Sequence, residues 1–431
     1  MKIAIIGSGV AGMTAAYRLN AGHDITVFEA NDYIGGHTAT VDIDYHGRRY
    51  AIDTGFIVFN DWTYPNFIAL LDELGVAWQH SDMSFSLRCE ATGLEYNGTS
   101  VNTLFAQRLN AVRPSFLRMI WDILRFNKEA RSLLGPGNEA LTLAEYLERG
   151  GYSRAFRERY IVPMGMAIWS ATESQMLAFP VKFFVEFFDK HGFLNVNNRP
   201  VWRTVKGGSR EYARKLTAPY RHRIRLSTPV TNVQRDADGV TIRTARGDSE
   251  RFDYVLFACH SDQALGMLET PTPAEREILG ALPYQPNDAV LHTDTRMLPR
   301  NALAHAAWNY HALVPRSELL AVTYNMNILQ NITAPAVFMV TLNRSDDIDP
   351  STILGCYRYS HPIYTPEGVR AQARRAEISG ANRSFYCGAY WRYGFHEDGV
   401  VSANWALEDV ERVIGPIAAP AAAAPNLRSA G

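Results

Sequence analysis

The spacing of apolar residues over the first thirty positions predicts strand, helix and strand. Residues 3–6 form a short β-rich apolar run that stops at Gly7, and residues 10–19 then have the apolar spacing of a helix. A second apolar run, 25–28, ends at Glu29. These three segments predict one βαβ unit with a buried parallel strand pair.

The rest of the chain alternates between helical and strand patterns. Residues 103–191 are mostly helical in pattern and rich in aromatic residues, with a second aromatic stretch at 179–193. Strand patterns return between 224 and 258, within a proline-containing region from 266 to about 366, and at 385–387, before a helix over about 400–413. The sequence therefore predicts an α/β fold in which strands of different regions are interleaved with helices. The Ala- and Pro-rich residues 416–431 are predicted to form a flexible tail.

Composition and charge exclude several classes of protein. The 431 residues are 47% apolar and 20% charged, with Lys plus Arg at 43 and Asp plus Glu at 44, so no global attraction for nucleic acid is expected. The four cysteines are scattered without a CxxC pair, and we expect neither a disulfide framework nor a metal site. No apolar run of about 18 residues and no leader pattern are present, which favours a cytoplasmic protein.

A glycine motif lies between the first predicted strand and helix. Gly7-Ser8-Gly9-Val10-Ala11-Gly12 reads G-x-G-x-x-G: the first glycine permits a tight turn, the second permits close approach of a pyrophosphate, and the third permits close helix–strand packing. The helix N-terminus supplies N–H groups to phosphates. Glu29, followed by Ala30, can accept hydrogen bonds from a ribose diol. The motif predicts binding of an adenine dinucleotide, which an NAD-dependent dehydrogenase would also use.

A glycine pair follows at Gly35-Gly36-His37. It resembles the extended fingerprint of the flavoprotein superfamily that contains monoamine oxidase, protoporphyrinogen oxidase and phytoene desaturase. In that superfamily the pair passes beside the FAD pyrophosphate and is usually followed by Arg or Lys, whereas this chain has His37. The resemblance implies FAD as the cofactor.

Further segments extend the resemblance along the chain. Similar elements are Asp53-Thr54-Gly55-Phe56, the internal glycine pair at 207–208, and the strands around Val230 and Ala258. Near the end, Gly388-Ala389 and the Asp398-Gly399-Val400 segment before the last helix correspond to flavin contacts, although Ala389 replaces the superfamily's usual acid. The implied cofactor-contacting residues are Gly7, Gly9, Val10, Ala11, Gly12, Glu29, Ala30, Gly35, Gly36, His37, Thr54, Gly55, Phe56, Val230, Ala258, Gly388, Ala389, Asp398, Gly399 and Val400.

The resemblance also implies an arrangement of domains. We expect a Rossmann-like FAD-binding domain made of residues 1–82, 195–265 and 380–415. A mixed-sheet and helical substrate domain would comprise 83–194 and 266–379. Because Cys387 sits in a predicted buried strand, we expect FAD to be bound without a covalent link.

Catalytic candidates are few, since flavin chemistry needs little from the protein beyond position, dryness and tuning. Tyr390 and Trp391 belong to an aromatic loop at the predicted flavin edge, where amine oxidases often have an aromatic pair. His292 stands roughly where amine oxidases have a lysine, and could accept a proton or be structural.

The substrate is indicated only weakly. The phenylalanines of 179–193 could be core or could line an apolar tunnel, and the basic stretch 103–131 could be a solvated helix face or a peripheral contact with the inner face of a membrane. The segments 53–60 and 390–399 resemble a bacterial subgroup associated with cyclopropane-fatty-acid synthases. This implies removal of a hydride from, or a double-bond shift in, a hydrophobic fatty-acyl substrate, with oxygen or a quinone as re-oxidant. The alternatives are an amine oxidase acting on a small amine, and a non-redox lipid-binding protein of the GDP-dissociation-inhibitor type.

Overall fold

The computed structural model describes residues 1–314 and 318–418, so most of the predicted tail at 416–431 lies outside the described residues. Within these ranges the strands, in chain order, are β1 Lys2–Ile6, β2 Asp24–Phe28, β3 Thr40–Tyr45, β4 Arg48–Asp53, β5 Phe59–Asn60, β6 Trp78–His80, β7 Phe85–Cys89, β8 Leu94–Asn97, β9 Trp202–Val205, β10 Ile224–Arg225, β11 Val230–Arg235, β12 Val240–Thr244, β13 Ser249–Phe252, β14 Tyr254–Phe257, β15 Tyr284–His292, β16 Trp308–Ala312, β17 Val322–Asn325, β18 Met339–Leu342, β19 Ile353–Pro362 and β20 Ser384–Tyr386.

The helices surround these strands, and several are only one or two turns long. In chain order they are α1 Val10–Leu19, α2 Pro65–Glu73, α3 Val101–Leu104, α4 Pro114–Glu129, α5 Leu143–Arg149, α6 Arg154–Phe156, α7 Val162–Trp169, α8 Glu173–Leu177, α9 Val181–Lys190, α10 Arg210–Thr217, α11 Ser261–Met267, α12 Pro273–Gly280, α13 Met326–Leu329, α14 Pro366–Gln372 and α15 His396–Ile414. Across the described residues, no helix combines the length and hydropathy needed to cross a bilayer.

A five-stranded parallel sheet, in the order β10-β2-β1-β14-β20, gathers strands from distant parts of the chain. Alternate residues of β1 point to opposite faces: Ile3 and Ile5 pack with α1, α10 and α15, whereas Ala4 and Ile6 pack against the three-stranded antiparallel sheet β11-β12-β13. The parallel sheet is therefore covered on both faces, as such sheets require. The predicted βαβ unit is confirmed.

A seven-stranded mixed sheet forms the second large body. Its order is β19-β15-β18-β17-β16-β7-β8, with the pair β16 and β7 parallel and the other neighbours antiparallel. One apolar core joins this sheet to α4, α7 and α9. The structure also has two smaller sheets, β3-β4 and β5-β9-β6. Their strands come between those of the two large sheets in the sequence. The fold is the predicted α/β arrangement of a parallel sheet with a mixed-sheet and helical partner.

The last helix begins earlier than the apolar pattern suggests. The pattern predicts a start near 400, but α15 begins at His396. The Asp398 carboxylate accepts a hydrogen bond from the Phe395 N–H at 2.9 Å and so satisfies a donor at the helix end. Residues 397–399 therefore lie in the first turn of α15 instead of preceding the helix.

Candidate functional site

Four strand ends meet at one edge of the parallel sheet. Gly7 follows β1, Glu29 follows β2, Ala258 follows β14 and Gly388 follows β20. Backbone bonds continue the register past these ends: the Gly7 N–H donates to Phe28 O at 2.8 Å, and the Ala258 N–H donates to Ile6 O at 2.8 Å. The carboxyl edge of a parallel sheet is where such folds bind ligands.

The first glycine turn has room for a ligand beside Gly9. Gly7 has φ +104°, which favours glycine, and a Cβ on Gly12 would lie 2.1 Å from Gly7 O, so both positions are closed to larger residues. A Cβ on Gly9, in contrast, would meet nothing within 4 Å. Gly9 is the N-cap of α1 and no side chain caps the helix there. The turn therefore presents helix N–H groups to an open cradle, which fits a pyrophosphate.

The Glu29 carboxylate braces this turn. Its Oε2 accepts hydrogen bonds from Ser8 N at 2.9 Å and Ser8 Oγ at 2.6 Å, and its Oε1 accepts one from Asn31 N at 2.8 Å. The Glu29 backbone O accepts from the Thr228 N–H at 2.8 Å, which brings the approach to Val230 and β11 beside this acid, while Ala30 is exposed next to it. Sequence reasoning missed Ser8, whose hydroxyl supports the turn from the variable second position of the motif.

The second glycine pair packs against the first turn. Gly36 has φ +58°, and a Cβ on it would lie 3.5 Å from Gly9 Cα. The Gly35 N–H donates to Ser8 Oγ at 3.3 Å. The structure thus brings together the two glycine elements that the resemblance assigns to one pyrophosphate.

His37 lies in a cluster of three imidazoles. Its ring centroid is 5.3 Å from that of His361 and 6.4 Å from that of His260, and it packs on Tyr359 at 5.1 Å. Burial lowers the pKa of His37 and of His260 to about 4, and that of His361 to about 3. The buried His37 Nε2 has no hydrogen-bond partner among the described residues. An unpaired buried nitrogen beside the glycine turns fits a site built to receive a polar ligand.

The Asp53–Phe56 segment joins this region to the mixed sheet. The Phe56 N–H donates to His37 O at 2.7 Å, and a Cβ on Gly55 would lie 2.3 Å from the same oxygen, so the two backbones are in close contact. Thr54 Oγ1 is 2.8 Å from the hydroxyl of Tyr359 in β19.

Asp53 itself is a buried anchor. Its carboxylate accepts hydrogen bonds from Ser209 N at 2.9 Å, Ser209 Oγ at 2.8 Å and Gln330 Nε2 at 3.0 Å. Burial raises the pKa of Asp53 to about 6, against the lowering effect of these hydrogen bonds. The residue therefore ties the internal glycine pair at 207–208 to the mixed-sheet body.

The start of α15 packs tightly on the start of α1. A Cβ on Gly399 would lie 2.5 Å from Val10 Cγ1, so glycine is needed for this approach. Gly388 donates its N–H to Ser402 Oγ at 2.9 Å, and Val400 is buried in the same core. Burial raises the pKa of Asp398 to about 7 although the Arg392 guanidinium lies 3.3 Å away. Helix N–H groups and strand ends from opposite ends of the chain thus surround one edge.

Both ring nitrogens of His292 have hydrogen-bond partners. Its Nδ1 accepts a hydrogen bond from the Asp294 N–H at 3.0 Å, and its Nε2 is 2.7 Å from Thr341 Oγ1. It ends β15, whereas Gln285, near the other end of that strand, pairs with His361 of the imidazole cluster. Seven residues of strand separate the two positions by about 23 Å. His292 is therefore hydrogen-bonded and lies far along β15 from the imidazole cluster, and its role as a proton acceptor stays a prediction.

The aromatic loop after Ala389 is divided between two cores. Tyr390 and Trp391 are buried beside Phe257 and Tyr386 in the core under the parallel sheet. Tyr393 and Phe395 instead contact α9: the Phe183–Tyr393 centroids are 4.6 Å apart and the Phe187–Phe395 centroids 5.2 Å apart. The loop residues that meet the aromatic stretch are therefore Tyr393 and Phe395. The contact of Tyr390 and Trp391 with a substrate stays a prediction.

That aromatic stretch forms a continuous wall with neighbouring helices. Trp169, at the end of α7, donates its Nε1–H to Tyr393 O at 3.3 Å, and its ring lies 4.7 Å from that of Phe187. Phe183 stacks on Tyr364 at 5.2 Å. We call the rings of Trp169, Phe183, Phe187, Tyr364, Tyr393 and Phe395 the aromatic wall. Phe395 of the wall packs against both the mixed-sheet core and the core that includes Val10, Cys387 and Val400 of the strand-end edge, so the two features are adjacent.

Comparison with known proteins agrees with this geometry. The sequence model of the family described as flavin-containing amine oxidoreductase matches residues 10–352. A probable flavin-containing monoamine oxidase A of Dictyostelium discoideum is 24% identical over 269 residues, covering 59% of this chain and 56% of the relative. A 15-cis-phytoene desaturase of Arabidopsis thaliana is 29% identical over 191 residues, covering 39% of this chain and 31% of the relative. The matched segment thus spans about half or less of these relatives.

Solved structures share the whole fold. Cyclohexylamine oxidase from Brevibacterium oxydans IH-35A aligns with TM-score 0.70 and 16% identity over 96% of this chain and 99% of that one. A fatty acid isomerase from P. acnes, described as producing CLA, aligns with TM-score 0.68 and 16% identity over 96% and 98%. At these identities the likeness establishes the fold.

Proposed function

Because the chain belongs to the flavin-containing amine oxidoreductase family, we propose that it is an FAD-dependent oxidoreductase acting on a hydrophobic, fatty-acyl type of substrate. The reaction is removal of a hydride from the acyl chain or a shift of a double bond within it. The observation that carries this proposal is the aromatic wall next to the strand-end edge. Two proteins support it by their substrates: the fatty acid isomerase, which shares the fold, and the phytoene desaturase, which is similar in sequence.

The cofactor residues have separable tasks in this proposal. Non-covalent FAD, when bound, supplies hydride acceptance and hydride return. The glycine turns and the start of α1 would hold its pyrophosphate, Glu29 would hold a ribose, and His37 would donate to a phosphate or ribityl oxygen. The N–H groups at the start of α15 would stabilise negative charge on the bound cofactor. Cys387 is fully buried and burial raises the pKa of its thiol well above the ordinary value, which agrees with a cofactor held without a covalent link.

The aromatic wall binds and desolvates the substrate. Rings of Trp169, Phe187 and Phe395 offer apolar area, and each buried methylene of an acyl chain contributes about 0.8 kcal/mol. Water exclusion at this wall would also strengthen electrostatic interactions at the reacting atoms and prevent side reactions with water. Charged groups lie beside the Tyr393 ring: Lys190 Nζ is 5.6 Å and the guanidinium carbon of Arg392 is 6.0 Å from its centre, and Lys190 Nζ lies 2.6 Å from Glu186 Oε1.

The alternative function is oxidation of a small amine. It is favoured by the structural likeness to cyclohexylamine oxidase and by the monoamine oxidase relative. A non-redox lipid-binding protein is the third possibility, and it would bind acyl lipids without reducing or using the flavin.

One experiment separates the three. The FAD-loaded protein is mixed anaerobically with unsaturated fatty acids, with acyl phospholipids, and with a panel of amines including cyclohexylamine and putrescine. We expect loss of flavin absorbance near about 450 nm, or an isomerised product by mass spectrometry, with acyl substrates. Bleaching by amines alone would replace this proposal by the alternative, and acyl binding without either readout would establish the non-redox function.

A matched pair of variants tests the wall. Phe187 and Phe126 are both buried in the same apolar core, but of these two only Phe187 contacts the 393–395 loop. We expect Phe187→Ala to raise KM for the acyl substrate at unchanged FAD content, while Phe126→Ala lowers stability with KM unchanged. Equal KM values for the two variants would show that the wall does not bind substrate.

A further inference from the structure

Exposed large apolar side chains are concentrated in one short segment. Of fourteen such side chains across the described residues, six lie between positions 101 and 124: Val101 75% exposed, Leu109 76%, Val112 76%, Leu117 43%, Trp121 51% and Leu124 51%. Single exposed apolar residues are ordinary, but a contiguous patch marks an interaction surface. We call residues 101–128 the 101–128 surface.

Helix α4 is apolar on two opposite faces. Phe116, Met119 and Phe126 are buried and attach the helix to the mixed-sheet core. Leu117, Trp121 and Leu124 are spaced i, i+4 and i+7, so they form a second stripe that faces outward. The inner face attaches the helix to the core. The outer stripe is left exposed to solvent in the described fold.

The charge of the same surface is strongly positive. It carries Arg108, Arg113, Arg118, Arg125 and Lys128 and one acid, Asp122. The Asp122 side chain is fully buried and pairs with Arg118 at 3.2 Å and with Arg125 at 3.1 Å. The guanidinium carbons of these arginines lie 4.5 Å and 5.0 Å from the centre of the Trp121 ring. In a chain balanced overall at 43 basic and 44 acidic residues, this is a local basic and apolar face.

We propose that the 101–128 surface seats the protein on an anionic phospholipid bilayer. Leu117, Trp121 and Leu124 enter the boundary between headgroups and acyl chains, and the basic side chains around them pair with lipid phosphates. A second copy of the chain is a poorer occupant, since a symmetric dimer would bring two basic surfaces together. The proposal is independent of the substrate: it concerns where the protein sits, and it holds for amine or acyl chemistry alike.

The 101–128 surface is also connected, through the core, to the proposed substrate site. The inner face of α4 belongs to the apolar core that includes Trp169, Phe187 and Tyr364. Phe116 packs on Tyr96, whose hydroxyl donates to Arg159 O at 2.6 Å, immediately before α7. A bilayer under α4 therefore contacts the helical layer that carries the aromatic wall.

The test is flotation of the FAD-loaded full chain with vesicles of phosphatidylcholine alone or mixed with phosphatidylglycerol. We expect binding to the anionic vesicles, weakened by high salt, and little binding to the neutral ones. The triple variant Leu117→Ser, Trp121→Ser, Leu124→Ser should lose binding by at least about tenfold. The control variant Trp62→Ser, Val196→Ser, Val314→Ser removes exposed apolar groups elsewhere and should bind as the unaltered protein does.

Charge and insertion are tested separately. Arg108→Glu with Arg113→Glu and Lys128→Glu should abolish binding to anionic vesicles, whereas Arg221→Glu with Arg246→Glu and Arg276→Glu, at exposed positions elsewhere, should not. Brominated acyl chains should quench fluorescence of the unaltered protein and lose most of that effect in Trp121→Phe. Equal binding by surface and control variants, or absence of binding to anionic vesicles, would overturn the proposal. A dimer dissolved by the triple serine variant would assign the surface to self-association instead.

Discussion

Replacing Gly9 by alanine adds one methyl group, which should weaken FAD binding strongly while it changes the stability of the fold only slightly. The backbone of Gly9 has φ −66° and ψ 178°, which alanine adopts without strain, and the added Cβ meets nothing within 4 Å. Loss of a favourable N-cap costs about 0.5–1 kcal/mol of unfolding free energy. The methyl group nevertheless occupies the cradle proposed for the pyrophosphate.

The expected effect on FAD is much larger. If the methyl group displaces the pyrophosphate from two helix N–H groups, each charge-assisted bond is worth about 1.5–3 kcal/mol, or about 3–6 kcal/mol together. At about 1.4 kcal/mol per tenfold change, Kd for FAD should rise by about 10²- to 10⁴-fold.

Titration calorimetry of the apoprotein with FAD and urea unfolding of the same sample give the two quantities. Gly266→Ala is the matched control, because its Cβ also meets nothing within 4 Å but it lies in α11. That variant should bind FAD normally. Gly12→Ala should instead unfold the turn, since its Cβ would lie 2.1 Å from Gly7 O. Normal FAD affinity in Gly9→Ala would refute the placement of the pyrophosphate.

Three histidines give further predictions. His292→Gln should leave the rate of anaerobic flavin reduction unchanged and lower the unfolding free energy by about 1–3 kcal/mol through its lost partners; a slower reduction at equal stability would support a catalytic role instead. FAD should bind the unaltered protein more tightly as pH falls from 8 to 6, by at most about tenfold per pH unit, because the pyrophosphate raises the pKa of His37 from its value of about 4 in the free protein. His37→Gln should flatten this dependence, and a flat profile before mutation would contradict the contact. Burial lowers the pKa of His311 to about 3 in the folded protein, below the value of about 6.5 in the unfolded chain. The unfolded chain therefore binds the proton more readily, so the protein loses stability as the pH falls from about 6.5 towards 3. His311→Leu should therefore reduce the acid sensitivity measured by urea unfolding, and an unchanged slope would show that the group titrates normally.

Local turn chemistry explains why the cofactor elements could be predicted from sequence. Gly7, Gly12 and Gly36 stand where positive φ or a close backbone approach admits little else, and these requirements are readable from neighbouring residues. The family assignment and the α/β fold followed from those elements and are confirmed. The cofactor contacts of individual residues stay predictions.

Features that depend on distant residues could not be predicted in the same way. The imidazole cluster brings together His37 from the turn before β3, His260 from the loop after β14 and His361 from the end of β19, and no local pattern relates them. His292 lies in β15, and the long-range pairing of β15 with β19 decides which end of that strand is next to the imidazole cluster. For Tyr390 and Tyr393, a glycine-rich loop has no periodicity that tells which ring turns to which core.

The parallel sheet has a consequence for the time at which the protein becomes able to take up its cofactor. Its central strands β1 and β2 are made first, but β20 and the helix that covers α1 come from residues 384–414. A nascent chain that has left the ribosome only as far as Phe257 carries the first glycine turn without its C-terminal neighbours. Such long sequence separations slow folding, and a nascent chain is exposed while it waits. Flavin uptake during synthesis should therefore begin only after residues 384–414 have left the ribosome, which makes the yellow colour of the protein a report that β20 and α15 have joined the parallel sheet.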